Sequence, residues 1–301
     1  MARRASDGEI LLPLRSPIDV ALTVASHGWA SLAPWQWNPE AGVLSRGERI
    51  GGRFGTISVA QHDLATIVIR RDGFTTADDD AIRGRVSRWL SADWEPSEAI
   101  AVLGGDGALI PCGGGRILRC STFYEDFVKT VLTINTSWSS TCRMAAALVA
   151  EPGDGSFPAP EAVLDYGEER LRQRARLGFR AATLVGTTRQ MLDDGAIDAA
   201  GNGRPERLGH DYLIGLKGIG PYAAAHCRLL LHDFARIPVD SSVIAYLRER
   251  HDCDPAAFAV SRSAWGPYLA LGYKLARLRE KIEAAAPPDP PVAPADKLAT
   301  V

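Results

Sequence analysis

The residues whose types and spacing could do chemistry lie between positions 213 and 244. A glycine hairpin, Leu216-Lys217-Gly218-Ile219-Gly220-Pro221-Tyr222, is followed 18 residues after Tyr222 by a carboxylate, Asp240. Two glycines one residue apart permit positive φ and close approach of another backbone. Pro221 suits the first turn of a helix, where its missing N–H leaves nothing unpaired. A hairpin that opens a helix presents backbone N–H groups and the positive end of the helix dipole, a surface whose natural partner is a phosphate. Gly218, Ile219 and Gly220, with Lys217 beside them, are therefore a candidate clamp for a DNA backbone. Asp240 is a favoured N-cap for Ser241-Ser242-Val243, and it is a lone acidic group one helix beyond the hairpin.

Two unlike halves must position these groups. From Ile18 onward the chain is rich in β-formers, with Ile18–Val24, Gly42–Arg46, Gly55–Val59 and Leu64–Ile69 reading as strands of an antiparallel sheet of about four or five strands. Trp29, Trp35 and Trp37 fit core packing better than base stacking. The Asp78-Asp79-Asp80 run fits the cap and first turn of a helix over 81–90. Beyond the glycines at 104–107 and 113–115, helical periodicity dominates. Helices are expected over 123–132, 139–149, 160–166, 170–177 and 181–193, then on both sides of the hairpin, after Asp240 and over 265–285. The arginines at 170, 172, 174 and 176 point different ways on a helix and read as a solvated surface. His226 and His232, on an apolar run, read as packed residues, and Trp138 as core. The expected division is a flexible start over 1–16, a β-rich domain over 17–111, a helical domain over 112–286 and a Pro-rich disordered tail over 287–301. The fold class is α+β, mostly α.

Composition narrows the function classes. The 301 residues carry a net charge of −2, so DNA binding has to come from a local patch, helix ends and backbone amides. Residues 1–111 hold 11 Arg/Lys against 14 Asp/Glu, whereas 112–285 hold 22 against 20, which places the favourable balance with the hairpin. The five cysteines are scattered, without ligand spacing for zinc or an iron–sulfur cluster. Without an apolar leader or a long apolar run, a soluble protein of the cytoplasm or nucleoid is expected.

The hairpin through Ala224, followed by Pro238-Val239-Asp240, resembles the signature of the helix–hairpin–helix DNA glycosylase superfamily. Leu177-Gly178-Phe179-Arg180-Ala181 is similar to a turn common there. The sheet-rich start resembles the alkylation-repair and 8-oxoguanine branches, and Arg116-Ile117-Leu118-Arg119 with a helix ending at Asn135 resembles the latter. The resemblance spans about residues 17–285. It implies that a nucleotide is extruded from double-stranded DNA, that Asn135 fills the hole left in the helix, and that Asp240 is the catalytic carboxylate. Asn135 also suits an ordinary C-cap. Bifunctional members carry a lysine where Tyr222 stands, and a phenol forms no imine. Tyr222 instead lines the base pocket or packs into the core. Of the five lysines, at 129, 217, 274, 281 and 297, only Lys217 is close to the hairpin in sequence. The expectation is a monomeric, monofunctional glycosylase that removes an alkylated or otherwise labile purine in base excision repair and leaves the strand intact. It would need no cofactor, though hairpin backbone could hold a monovalent cation. An 8-oxoguanine or other modified-base glycosylase, and a non-catalytic lesion sensor of the same fold, are the alternatives.

Overall fold

The computed structural model describes residues 8–285; the Pro-rich stretch 287–301 lies outside them. The chain opens with strand β1 (Glu9–Pro13) and the short helix α1 (Val20–Val24), followed by β2 (Trp35–Asn38), β3 (Val43–Ile50), β4 (Arg53–Asp63) and β5 (Thr66–Asp72). These strands form one antiparallel sheet in the order β1-β5-β4-β3-β2. Helices α2 (Asp79–Trp89) and α3 (Ser97–Leu103) follow, and then the helical half begins. It comprises α4 (Phe123–Thr133), α5 (Trp138–Ala150), α6 (Pro160–Tyr166), α7 (Glu168–Gln173), α8 (Arg180–Asp193), α9 (His210–Gly215), α10 (Pro221–Leu229), α11 (Ser241–His251), α12 (Pro255–Ser261) and α13 (Leu269–Ala285). Among the described residues the architecture is thus α+β and mostly α, as expected.

Three sequence expectations needed correction. Residues 9–13, assigned to a flexible start, form the edge strand β1, paired with β5 from Glu9↔Arg70 to Pro13↔Thr66. Ile18–Val24, assigned to a strand, contains α1, because Asp19 accepts the Leu22 N–H at 2.8 Å and caps a helical turn. Gln61 then ties that turn to the sheet, accepting from Val20 N and donating to Ile18 O. Trp138 is 44% exposed rather than core. Trp29 and Trp35 are buried, as expected.

Helix α4 is buried on all sides from Phe123 to Leu132 and is the centre about which the halves meet. Its Asp126 accepts from Trp29 Nε1, Arg88 Nη2 and Cys120 N. Its Glu125 meets Arg46 of β3 at 2.7 Å and Lys129 at 2.9 Å. Burial alone would raise the Glu125 carboxyl, but the two cations bring it down to about 2. From the far end of the chain, α13 reaches back: Lys274 Nζ donates to Ser26 O and Arg279 to the carbonyls of Gly105 and Asp106. No described helix is long and apolar enough to cross a membrane.

Candidate active site

The hairpin joins α9 to α10. Leu216 ends α9, Gly218 takes φ +87°, and Gly220 caps α10 with Pro221 at its first position. A Cβ on Gly218 would lie 2.9 Å from Thr183 Oγ1 of α8, so glycine is required both by the turn and by this close approach. Gly218, Gly220 and Lys217 are exposed. Ile219 is not: its side chain is 6% exposed and its N–H bonds Leu216 O at 3.0 Å. Ile219 therefore anchors the hairpin, and its neighbours carry the exposed surface.

Asp240 caps α11, with Oδ1 accepting the Val243 N–H at 2.8 Å, and remains exposed. The cap holds the carboxylate in one orientation. Asp240, Tyr222 and Asn135 line a single cleft of about 600 Å³, together with Gly220, Pro221 and Trp138. Positions far apart in sequence are therefore brought to one place.

Tyr222 is half-buried, with its hydroxyl accepting from Thr133 Oγ1 at 3.5 Å. Burial pushes its phenol above the ordinary value, and Asp240 adds to the shift. It therefore stands neutral in the cleft wall. Asn135 occupies the residue after the C-cap of α4 at φ +48°, a left-handed conformation that asparagine tolerates well. Its side chain is exposed at the cleft, so the residue that ends the helix also stands at the cleft surface.

One contributor was missed by sequence reasoning, and a second, Trp138, was read as core. Arg180, within the quoted Gly-Phe-Arg-Ala turn, is 7% exposed and donates to the carbonyls of Ile134 and Asn135. It props the Asn135 turn from beneath and stacks on Phe179, 4.4 Å from the ring centre. Trp138 lies on the cleft wall against Gly28, where an added Cβ would meet its ring at 2.5 Å. Arg116 and Arg119, which carry the resemblance to the 8-oxoguanine branch, are taken up by internal hydrogen bonds. Arg116 is buried and donates to Ser91 O and Trp94 O, and Arg119 donates to Arg88 O and Asp93. Both arginines are tied into the fold. The arginines at 170, 172, 174 and 176 are exposed, as expected of a solvated surface.

Asp240 also borders a second cavity, of about 410 Å³, walled by α13, the Ser26–Gly28 turn and Ser242. Lys274 lines it, and burial together with Arg277 and Lys281 lowers its ammonium to about 8, with Asp240 opposing the shift. His27 lines it too, donating from Nε2 to Leu118 O at 2.7 Å and accepting the Trp29 N–H at Nδ1. Burial, with Lys274 and His226 nearby, holds His27 well below its usual pKa against the opposing Leu118 hydrogen bond, and the ring is neutral. His226 is buried beneath, stacked on Trp29 at 4.9 Å, and burial brings it to about 3. His226 and His232 are packed groups, as expected.

No family model matches the chain, and no curated protein matches it in sequence. Solved structures do. The 3-methyladenine DNA glycosylase of Archaeoglobus fulgidus superimposes with a TM-score of 0.67 at 19% identity, covering 92% of this chain and 100% of that one. The 8-oxoguanine glycosylase/lyase of Clostridium acetobutylicum in its apo form gives 0.64 at 14% identity, covering 90% and 95%. The same enzyme in complex with double-stranded DNA containing cytosine opposite 8-oxoguanine gives 0.55 at 13%, covering 85% and 93%. At these identities the likeness is one of fold. The fold is the one these DNA glycosylase structures share, in agreement with the fold expected from the hairpin.

Proposed function

We propose that this protein is a DNA glycosylase of base excision repair: it extrudes a modified base from double-stranded DNA and hydrolyses its N-glycosidic bond. The observation that carries the reading is the convergence of Asp240, Tyr222, Asn135 and the N-terminus of α10 on one cleft. The exposed hairpin glycines and the first N–H groups of α10 suit a phosphate flanking the extruded nucleotide. Extrusion costs a few kcal/mol, least for a damaged or poorly paired base, and Asn135 is positioned to occupy the vacated space. As the glycosidic bond breaks, positive charge grows on the sugar. The carboxylate of Asp240, fixed by its cap, stabilises that charge and directs water to C1′.

With Tyr222 at the lysine position, the neighbouring phenol supplies no amine for an imine, so the reaction ends at the abasic site with the strand intact. The protein is expected to act as a monomer and without a cofactor. The test is a panel of duplexes carrying alkylated, oxidised, deaminated and mismatched bases. Breaks that appear only after hot alkali are the expected result. Breaks without alkali would overturn the monofunctional reading, and no base release from any duplex would overturn the glycosylase reading. As a control in the other direction, Tyr222→Lys is expected to yield a borohydride-trapped complex with abasic DNA.

A further inference from the structure

Asp240 stands between two spaces. The cleft on one side holds the hairpin and Asn135, and suits sugar and phosphate. The second cavity lies on the other side of the same carboxylate, and is where a base attached to a sugar at Asp240 would go. Its only acidic lining residue is Asp240; opposite stand Lys274, Arg277 and Lys281, spaced along α13, with Arg116 at the edge. Most of these cations are spoken for or remote. Arg277 donates to Tyr273 Oη at 3.0 Å and stacks on Tyr246. Arg116 is held by the carbonyls of Ser91 and Trp94, and Lys281 is exposed. Lys274 differs: it is partly buried, and its one hydrogen bond among the described residues is to Ser26 O at 3.0 Å. An ammonium has three donors, which leaves two for the cavity.

This arrangement constrains the base, given the glycosylase reading above, on which the inference rests. A base already carrying positive charge, such as a purine alkylated on a ring nitrogen, would face the Lys274 ammonium as a like charge. An uncharged base has the opposite need. When its bond to C1′ breaks, the electron pair stays on the base, which must receive a proton or a strong donor to leave. We propose that Lys274 is the proton donor to an uncharged leaving base, and that the chamber thereby selects neutral, acceptor-bearing bases over cationic alkylated purines. In the step, the C1′–N bond breaks, the pair passes to the base, and the Lys274 proton joins the base at an acceptor atom. Water adds to C1′ and gives its proton to Asp240, and solvent exchange restores the Lys274 ammonium and the Asp240 carboxylate. An amine with a pKa of about 8 is matched to such a transfer near neutral pH. The other ionisable groups facing Lys274 or its cavity are Arg277, Lys281, Asp240, Tyr273, Arg116 and the neutral His27 and His226. The inference departs from the alkylated purine suggested by the missing lysine and the sheet, and keeps the wider expectation of a modified base.

The test compares the wild type with Lys274→Gln and Lys274→Arg, after thermal melting has established that each is folded. Single-turnover base release is measured on duplexes holding hypoxanthine, 8-oxoguanine or 7-methylguanine. The wild type is expected to favour the two uncharged bases. Lys274→Gln should slow their release roughly 10- to 100-fold while leaving 7-methylguanine unchanged or faster. The rate on the preferred uncharged base should fall above pH about 8, and Lys274→Arg should move that limb upward. A preference for 7-methylguanine, or equal slowing of all three substrates in Lys274→Gln, would overturn the proposal. If no base leaves any duplex, the glycosylase reading fails, and Lys274 is judged by binding. Duplexes with 2′-fluoro sugars carrying the same bases should then bind the wild type more tightly when the base is uncharged, and Lys274→Gln should erase the difference. Equal binding across the three would overturn the role of Lys274 by itself.

Discussion

Two charged clusters, one gathered on α4 and the other on α13, are built on opposite plans. In the junction between sheet and helices, Arg46, Glu48, Glu125 and Lys129 are almost wholly buried and cross-paired at 2.6–2.9 Å. Asp126 there accepts three donors. Around Asp240, by contrast, the carboxylate is capped through one oxygen and exposed, and Lys274 keeps a single carbonyl partner. Burying ions is costly unless they are matched, and the junction pairs its charges closely, although Arg46 Nη1 has no partner among the described residues and Arg46, Glu48 and Glu125 border a cavity of about 270 Å³. The second cluster leaves charge directed into open cavities. The comparison sets closely paired, buried ions against charges at Asp240 and Lys274 that keep fewer partners.

The contrast can be broken at either end, and the largest effect is expected at Asp240. Asp240→Asn keeps an N-cap acceptor but loses the negative charge. Base release should fall by roughly 10²–10³-fold or more in single-turnover assays, with DNA binding and melting temperature little changed. Full activity in this variant would remove the carboxylate from the mechanism. Glu125→Ala should do the reverse. It strands Arg46 and Lys129 in the interior and should cost about 3–5 kcal/mol of stability by urea unfolding, with activity per folded molecule preserved. Loss of activity without loss of stability would mean that the junction is part of the site.

A third effect concerns pH. His27 and His226 are held neutral by burial, His226 down to about 3. Below pH about 6.5 the unfolded chain takes up protons at these histidines that the folded chain refuses. Stability is therefore complete above that pH and declines as pH falls towards the folded values, by roughly 1.4 kcal/mol per pH unit for each such histidine. Urea midpoints between pH 7 and 4.5 should show the decline, and His226→Leu should flatten its slope. The smallest effect is expected at Asn135, whose replacement by alanine should weaken binding to a duplex with an abasic analogue by roughly 2- to 10-fold, the worth of a hydrogen-bonding contact. An unchanged affinity would place Asn135 outside the DNA interface.

What could be read from the chain was whatever short-range chemistry controls. Gly218 and Gly220 demanded a hairpin, Pro221 opened α10, Asp240 capped α11, and α6 spans Pro160–Tyr166 as its pattern predicted. The absence of an amine at Tyr222 is likewise a property of one side chain. Where local signals were balanced, the reading failed. The apolar run at 18–24 suits a strand or a helix, and the Asp19 cap with the Gln61 clasp decided for helix. The strand at 9–13 exists only because β5 offers it an edge. Trp138 stays half-exposed because Gly28, 110 positions away, leaves room for its ring.

Asp240 and the hairpin were thus determined by the sequence itself, through backbone conformations and caps that act over a few residues. The second cavity was decided only by the tertiary structure. Lys274 is distant in the chain from Asp240 and farther still from Ser26, and nothing in its neighbours along the helix marks it. Packing α13 against the Ser26–Gly28 turn sets its amine beside the carboxylate. Which charges meet across a cavity depends on contacts between segments hundreds of residues apart, and no periodicity or local motif encodes that.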